Sequence, residues 1–496
     1  MVSLHAYFIN FNEYIYHYIL FNNTLIFFLT FVYFIILIIS IFLFNTYTTF
    51  SLNRYSSIIK QLYYYILFIS IVLFFIKFFF YTWFFQSSML VKFSNFTNLY
   101  YSNLLVNINT LGDILVILCI LTTFISWVYL SERYLFLNMF NVYYFYIFII
   151  FTINMVYTSN LLVMFIFFEF IFLPSLYFVY WLSYSQKSDK AIKYLLVWTL
   201  SGSFFVACGL AYIYGVIGTL SLTNLLLFKF TNLEKIMLFL CFFIGFGVKL
   251  PIWPFHYWLT KVHVEAPTGF SIFLSGYLVK TAFYCLVYFC YLFKTQVLLY
   301  FVLGIIFLGA IDASIRMWTS TDIKRLIAFA TIQEMNLIVG FFFLLNNSYM
   351  QILNIFLLVH GILSTLLFFL VDQVQKRYQT RNIVVISGLA YKLPNLHAII
   401  WGSILIFRGF PIFIKFFIEW ELLAVLLNNF FIWGFIVFVL VSVYGVLGFC
   451  RIWLSILYGQ PTENLNNTGD ILHKDLAIAI YLISLLAFLS SLIFFF

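Results

Sequence analysis

An all-α polytopic membrane protein of about fourteen transmembrane helices is the fold this sequence predicts, and three observations predict it. Of its 496 residues 65% are hydrophobic and 8% charged, with a mean hydropathy of +1.08, far from the balance of a water-soluble domain. Apolar runs recur from end to end, each of about twenty residues, the length that crosses a hydrocarbon core of about 30 Å. The runs lack the alternation of a lipid-facing barrel, which excludes strands.

Taken in order, spans at 24–45, 61–84 and 111–130 make up an N-terminal segment of residues 1–130. Spans at 136–157, 160–184, 192–216, 234–259 and 267–292 form a first five-helix unit, residues 136–292. Spans at 297–318, 323–345, 350–373, 396–426 and 429–457 form a second, residues 297–457, and a last helix lies within 473–496. The seventh span carries Pro251 and Pro254, the twelfth Gly409 and Pro411. Proline removes a backbone donor and kinks a helix, and interrupted helices at matching places in two halves point to an ion site in a repeat-built transporter. The offset is five helices. Because five is odd, the second unit is expected upside down relative to the first, pairing Glu169 with Glu334 and Lys249 with Glu419 as inverted equivalents.

Charge orients the spans. Cytoplasm-like faces collect Lys and Arg in short loops, and the loops after odd-numbered spans hold nearly all of them, among them Arg54, Arg133, Lys190, Lys261, Lys324 and Arg381. The opposite loops carry Lys92, Lys229, Lys235 and Lys294. The basic face is therefore expected on the matrix or cytoplasmic side and both termini on the other. The net charge of +9 is spread through these loops and forms no stripe for nucleic acid. Met1 to Asn23 holds no basic residue except its two histidines, unlike an Arg-rich transit peptide. Phe and Tyr, with A/T-rich codons, bring the aromatic content to 24%, which suggests an A/T-biased organellar genome and makes most single rings packing mass.

Several chemistries find no residues. The six cysteines, Cys119, Cys208, Cys241, Cys285, Cys290 and Cys450, are scattered in apolar segments without iron–sulfur or zinc spacing. There is no GxGxxG after a strand and no GxxxxGK[ST] loop, so no nucleotide-binding device is expected in this chain.

What lipid should not tolerate is the row of ionisable side chains inside the spans. A charge at mid-membrane costs roughly 3 kcal/mol on insertion scales, yet Glu169, Lys249, Lys280, Glu334, His360, Lys415, Glu419 and Glu421 all lie in apolar runs. Burial shifts such groups towards titration near neutral pH and lets them hand protons to one another through water. Static interhelical ion pairs, Glu169 with Lys249 for example, are the alternative use.

The run KLPIWPFHYWLTKVHVEAPTGFSIFLSGYLVKTAFY from Lys249 resembles the signature of the antiporter-like subunit 4 of respiratory NADH:quinone oxidoreductase, complex I, usually mitochondrially encoded. FFEFIFLPSLYF around Glu169, STDIKRLIAFATIQEM from Ser320, HGILSTLLFFL from His360 and GFPIFIKFFIEWELL from Gly409 add to it, covering roughly 150 to 425. The resemblance implies fourteen helices with inverted repeats over helices four to eight and nine to thirteen. It implies proton translocation through Glu169 paired with Lys249, then Lys280 and the central His360, to an exit acid at Glu419. FMN, iron–sulfur clusters, NADH and ubiquinone would belong to other subunits, with antiporter-like subunits 5 and 2 and membrane lipids as neighbours, in the mitochondrial inner membrane.

This chain departs from that pattern where many relatives have His, at Glu334, and near Glu419, where Lys415 replaces Asn and Ile418 replaces Gly. Lys415 lies four residues before Glu419 on one helix face and is expected to alter its proton affinity; Glu421 is a second possible modulator. Rival readings are an Mrp-like cation/proton antiporter, another antiporter-like subunit, and a scaffold whose charges have become structural.

Overall fold

A computed structural model describes residues 110–126, 138–182, 188–293, 296–344, 350–460, 470 and 473–491. The spans expected at 24–45 and 61–84 lie outside them. All described residues belong to one compact unit, Tyr81–Phe496.

The unit is helical. In chain order α1 is Thr110–Ser126, α2 Asn138–Tyr157, α3 Leu161–Leu182, α4 Ser188–Ile217, α5 Leu222–Leu227, α6 Asn232–Lys249 and α7 Tyr257–Glu265. There follow α8 Thr268–Phe273, a π turn Leu274–Leu278, α9 Val279–Phe293, α10 Gln296–Thr319, α11 Ile323–Leu344 and α12 Met350–Tyr378. The last are α13 Leu389–Lys392, α14 Pro394–Phe407, α15 Ile414–Tyr458 and α16 His473–Ser491. Among the described residues there is no strand, only two single bridges, Asn160–Ser221 and Asp322–Asn382. Such a chain has little choice, because lipid offers backbone groups no partner and a helix satisfies them internally. Among the described residues seven helical segments are long and apolar enough to cross a membrane.

Two of the expected spans are broken, and each break ends a helix beside a lysine. Thr231 and Glu234 start α6 with a reciprocal capping box, and α6 stops at Lys249, just before Pro251. The last carbonyls of a helix lack intrahelical donors; here Trp258 of α7 donates its indole N–H to the Val248 carbonyl at 2.8 Å. In the second break α14 stops at Phe407 and α15 begins at Ile414. Gly409 takes φ +65° in this turn, a left-handed backbone that glycine adopts without steric cost.

Hydropathy divides the segment after Gly409 at residues 427–428, whereas helical backbone runs through Ile414–Tyr458. The direction still changes within it. A Cβ on Gly434 would lie 2.6 Å from the Leu426 carbonyl oxygen, whereas eight residues of straight helix separate backbone atoms by about 12 Å. The chain is therefore folded sharply between these residues, with helical turns on both sides of the fold.

Burial sorts the helices. The apolar windows of Thr268–Cys290 and Ile323–Leu344 are wholly enclosed by other helices, while Val197, Leu200 and Phe204 of α4 and Tyr300 and Phe301 of α10 face outward. The ionisable side chains Lys280, Glu334 and His360 all sit on enclosed α9, α11 and α12. Close approach of backbones helps achieve this: a Cβ at Gly202 of α4 would lie 2.6 Å from the Gly245 carbonyl of α6, the small-residue contact by which membrane helices pack.

Candidate functional site

The first cluster joins α3 to the broken end of α6. Lys249 is buried, and its ammonium donates to Glu169 Oε1 at 2.7 Å. Phe168 and Phe172, flanking Glu169 on α3, present their rings 4.1 and 4.3 Å from Lys249 Nζ. An ammonium removed from water needs such partners, because an unpaired buried charge is costly, and an aromatic face supplies part of what is lost. The Glu169 side chain remains 28% exposed, so this pair is open at one end.

Lys280 stands deeper. The π turn Leu274–Leu278 widens the ladder just before it, and the Lys280 ammonium donates to the carbonyl of Ser275. π turns inserted in helices are frequent at functional sites. The Lys280 charge also acts on Glu334 and on His360.

Those two residues belong to a second cluster, built from α11, α12, α14 and α15. Glu334 offers one oxygen on each side: Oε1 accepts from the Lys415 ammonium, and Oε2 lies 3.3 Å from His360 Nδ1. Lys415 also donates to the Phe407 carbonyl at 2.6 Å, closing the open end of α14, and lies 4.0 Å above the Phe407 ring. Glu419 Oε1 is 3.6 Å from the same ammonium, and Glu419 Oε2 rests against Gly409 in the break. Glu421 is half-buried two residues on, a spacing that sends it to another helix face.

The expected residues thus fall into a Glu169–Lys249 pair, a Lys280 held by the Ser275 carbonyl, and a cluster of Glu334, His360, Lys415 and Glu419. Spacing along one helix assigns Lys415 to Glu419; the shorter contact is across helices to Glu334.

Sequence reasoning missed two acids. Asp312 of α10 binds Arg316 at 2.9 Å and lies 3.4 Å from His256 in the first break, and Asp372 of α12 accepts from Thr268 at 2.6 Å and pairs with Lys376 at 3.1 Å. Both lie near the basic ends of their spans, where a charge is unremarkable; the i, i+4 cations Arg316 and Lys376 were the available signal. The HVEAP run, the last turn of α7 and the two residues that join it to α8, is held from the second half of the chain, with Lys324 donating to the Ala266 carbonyl and Arg381 to that of Val264.

A family model described as "NADH:quinone oxidoreductase/Mrp antiporter, TM" matches residues 158–445, which include every residue of both clusters. NADH-ubiquinone oxidoreductase chain 4 of Paramecium tetraurelia is 35% identical over 387 residues, 78% of this chain and 82% of the relative. The protein of the same name from Chondrus crispus is 31% identical over 63% of this chain and 64% of its own. Among solved structures, a chain of respiratory complex I from Thermus thermophilus with bound NADH aligns with TM-score 0.68 at 19% identity, covering 77% of this chain and 81% of that one. A chain of the Mrp complex from Dietzia sp. DQ12-45-1b aligns with TM-score 0.67 at 18% identity, covering 77% and 80%. At these identities the two structures show a shared fold.

Proposed function

The chain belongs to the NADH:quinone oxidoreductase/Mrp antiporter family, among the NADH-ubiquinone oxidoreductase chain 4 proteins, and from that membership we propose that it translocates protons in the membrane arm of NADH:ubiquinone oxidoreductase. The observation that carries the proposal is the Glu169–Lys249 pair, an ammonium and a carboxylate 2.7 Å apart at the broken end of a helix, with Lys280, Glu334, His360 and Glu419 available beyond it. Oxidation of NADH and reduction of the quinone occur in other subunits, which hold the flavin and iron–sulfur clusters. A charge moving in a neighbour alters the Glu169–Lys249 pairing and with it the lysine's proton affinity. A proton then passes by way of Lys280 and the central cluster to Glu419. Such coupling requires two states that differ in proton affinity.

The same reading gives fourteen helices, of which four to eight and nine to thirteen form two inverted five-helix repeats, with the basic loops on the matrix side of the mitochondrial inner membrane and both termini in the intermembrane space. Antiporter-like subunits 5 and 2 would be the lateral neighbours, with lipid against the outward apolar faces of α4 and α10.

The test is to solubilise the membrane gently, separate native complexes and locate this chain. Comigration with flavin, iron–sulfur clusters and NADH dehydrogenase activity is the expected result. Migration without those cofactors, together with cation-driven proton exchange by the isolated species, would overturn it in favour of an Mrp-like antiporter.

A further inference from the structure

The two lysines at the two helix breaks are built alike. Lys249 reaches back 80 residues to Glu169, and Lys415 reaches back 81 to Glu334. Each acid lies within a long helix, α3 or α11, and each lysine adjoins a break, at the end of α6 or the start of α15. Each ammonium lies over phenylalanine, Phe168 and Phe172 in one case and Phe407 in the other, at 4.0 to 4.3 Å. By contact, Lys415 and not Glu419 is the counterpart of Lys249.

We propose that Lys415 is itself a proton carrier, with Glu334 as its counter-ion, so that the second half of the chain works with a Glu–Lys pair as the first half does. The inference rests on the reading of the chain as a proton-translocating subunit. Its distinguishing feature is that Lys415 has two acids within reach, Glu334 on one side and Glu419, four residues along α15, on the other. A purely structural cation needs one buried partner; a carrier needs a donor side and an acceptor side. The donor side is supplied by His360, whose Nδ1 stands 3.3 Å from the second oxygen of Glu334. The acceptor is Glu419, whose carboxylate lies against Gly409, where the absent Cβ leaves it room in the break.

The step balances without a co-reactant. The Lys415 ammonium gives one N–H proton to the Glu419 carboxylate, leaving a neutral amine and a carboxylic acid. Glu334 relays the replacement proton, taking it from the His360 imidazolium and giving it up to the amine, and it is the ionised counter-ion again once the ammonium is restored.

The test uses the intact complex in liposomes, following acidification of the lumen against NADH oxidised, with two substitutions that separate carrier from strut. Lys415→Arg keeps the positive charge and the partner, but a guanidinium does not release its proton in a protein. The expected result is normal assembly on native gels with proton-coupled turnover down about a hundredfold, the low end of what a positioned proton-transfer group contributes. The double variant Lys415→Met with Glu334→Gln removes both members of the enclosed pair together, and Glu419, whose side chain is 26% exposed, can recover water in place of the lysine. This variant is expected to show the same loss. Wild-type proton-coupled turnover in either variant would overturn the proposal and leave Glu334–Lys415 a structural pair. Normal pumping by Lys249→Met would instead refute the reading on which the proposal rests, so the two failures are distinguishable.

Discussion

Lys249→Met is expected to abolish proton movement per NADH oxidised while the subunit still assembles. Methionine keeps most of the side chain's length and apolar volume, and volume-conserving exchanges disturb packing least. It therefore sits against Phe168 and Phe172 much as the lysine stem does. What is lost is the ammonium at the end of α6 on which the proposed proton path depends. Removing one member of a fully buried ion pair costs roughly 3–5 kcal/mol, largely because the other is stranded. The cost here is smaller, since the Glu169 side chain is 28% exposed and can recover water. Glu169→Gln is expected to do less harm: Lys249 keeps both aromatic faces and an amide oxygen in place of the carboxylate, and pumping is slowed without being lost. Lumen acidification by the reconstituted complex, normalised to NADH consumed and to subunit content on native gels, measures both. Unchanged acidification per NADH in Lys249→Met would show that the pair is a strut, with the protons moving elsewhere.

Much of the basis for that prediction is visible in the sequence, and what is hidden has physical reasons. Pro251, Pro254, Gly409 and Pro411 mark the two breaks because their chemistry is local: a missing donor or a positive φ acts on the residues beside it. Glu169, Lys280, Glu334 and His360 stand out because a charged or polar group in a long apolar run is conspicuous. The partner of Lys415 is not legible in this way. Sequence spacing sees four residues to Glu419 along one helix and cannot see the 81 residues to Glu334, which only the packing of α11 against the α14–α15 break brings together. Hydropathy does divide the chain at residues 427–428, inside the fold between Leu426 and Gly434, although helical backbone passes through it and no proline marks it. The π turn before Lys280 is silent: one inserted residue in a helical ladder changes no composition.

The second large effect expected lies at a residue that bears no charge. Gly202→Ala should lower the amount of assembled subunit and uncouple what remains, although a single methyl group is added. That methyl would lie 2.6 Å from the Gly245 carbonyl oxygen and 3.3 Å from Val248 Cβ, so α4 and α6 must part at this crossing. The obstacle is backbone, which cannot swing aside as a flexible side chain can, and overpacking of this kind typically costs about 1–3 kcal/mol. Gly245 and Val248 belong to the last turn of α6, and that turn ends in Lys249. Displacing it moves the ammonium relative to Glu169 on α3. Gly215→Ala, on the same helix α4, is the control: a Cβ there meets nothing within 4 Å, so assembly and pumping should match the wild type or improve slightly through helix propensity. Native-gel abundance with proton movement per NADH reads both changes. If Gly202→Ala and Gly215→Ala behaved alike, the α4–α6 crossing would have slack, and the position of Lys249 would have to be set by the packing of α6 on α9 and by the Glu169 contact from α3.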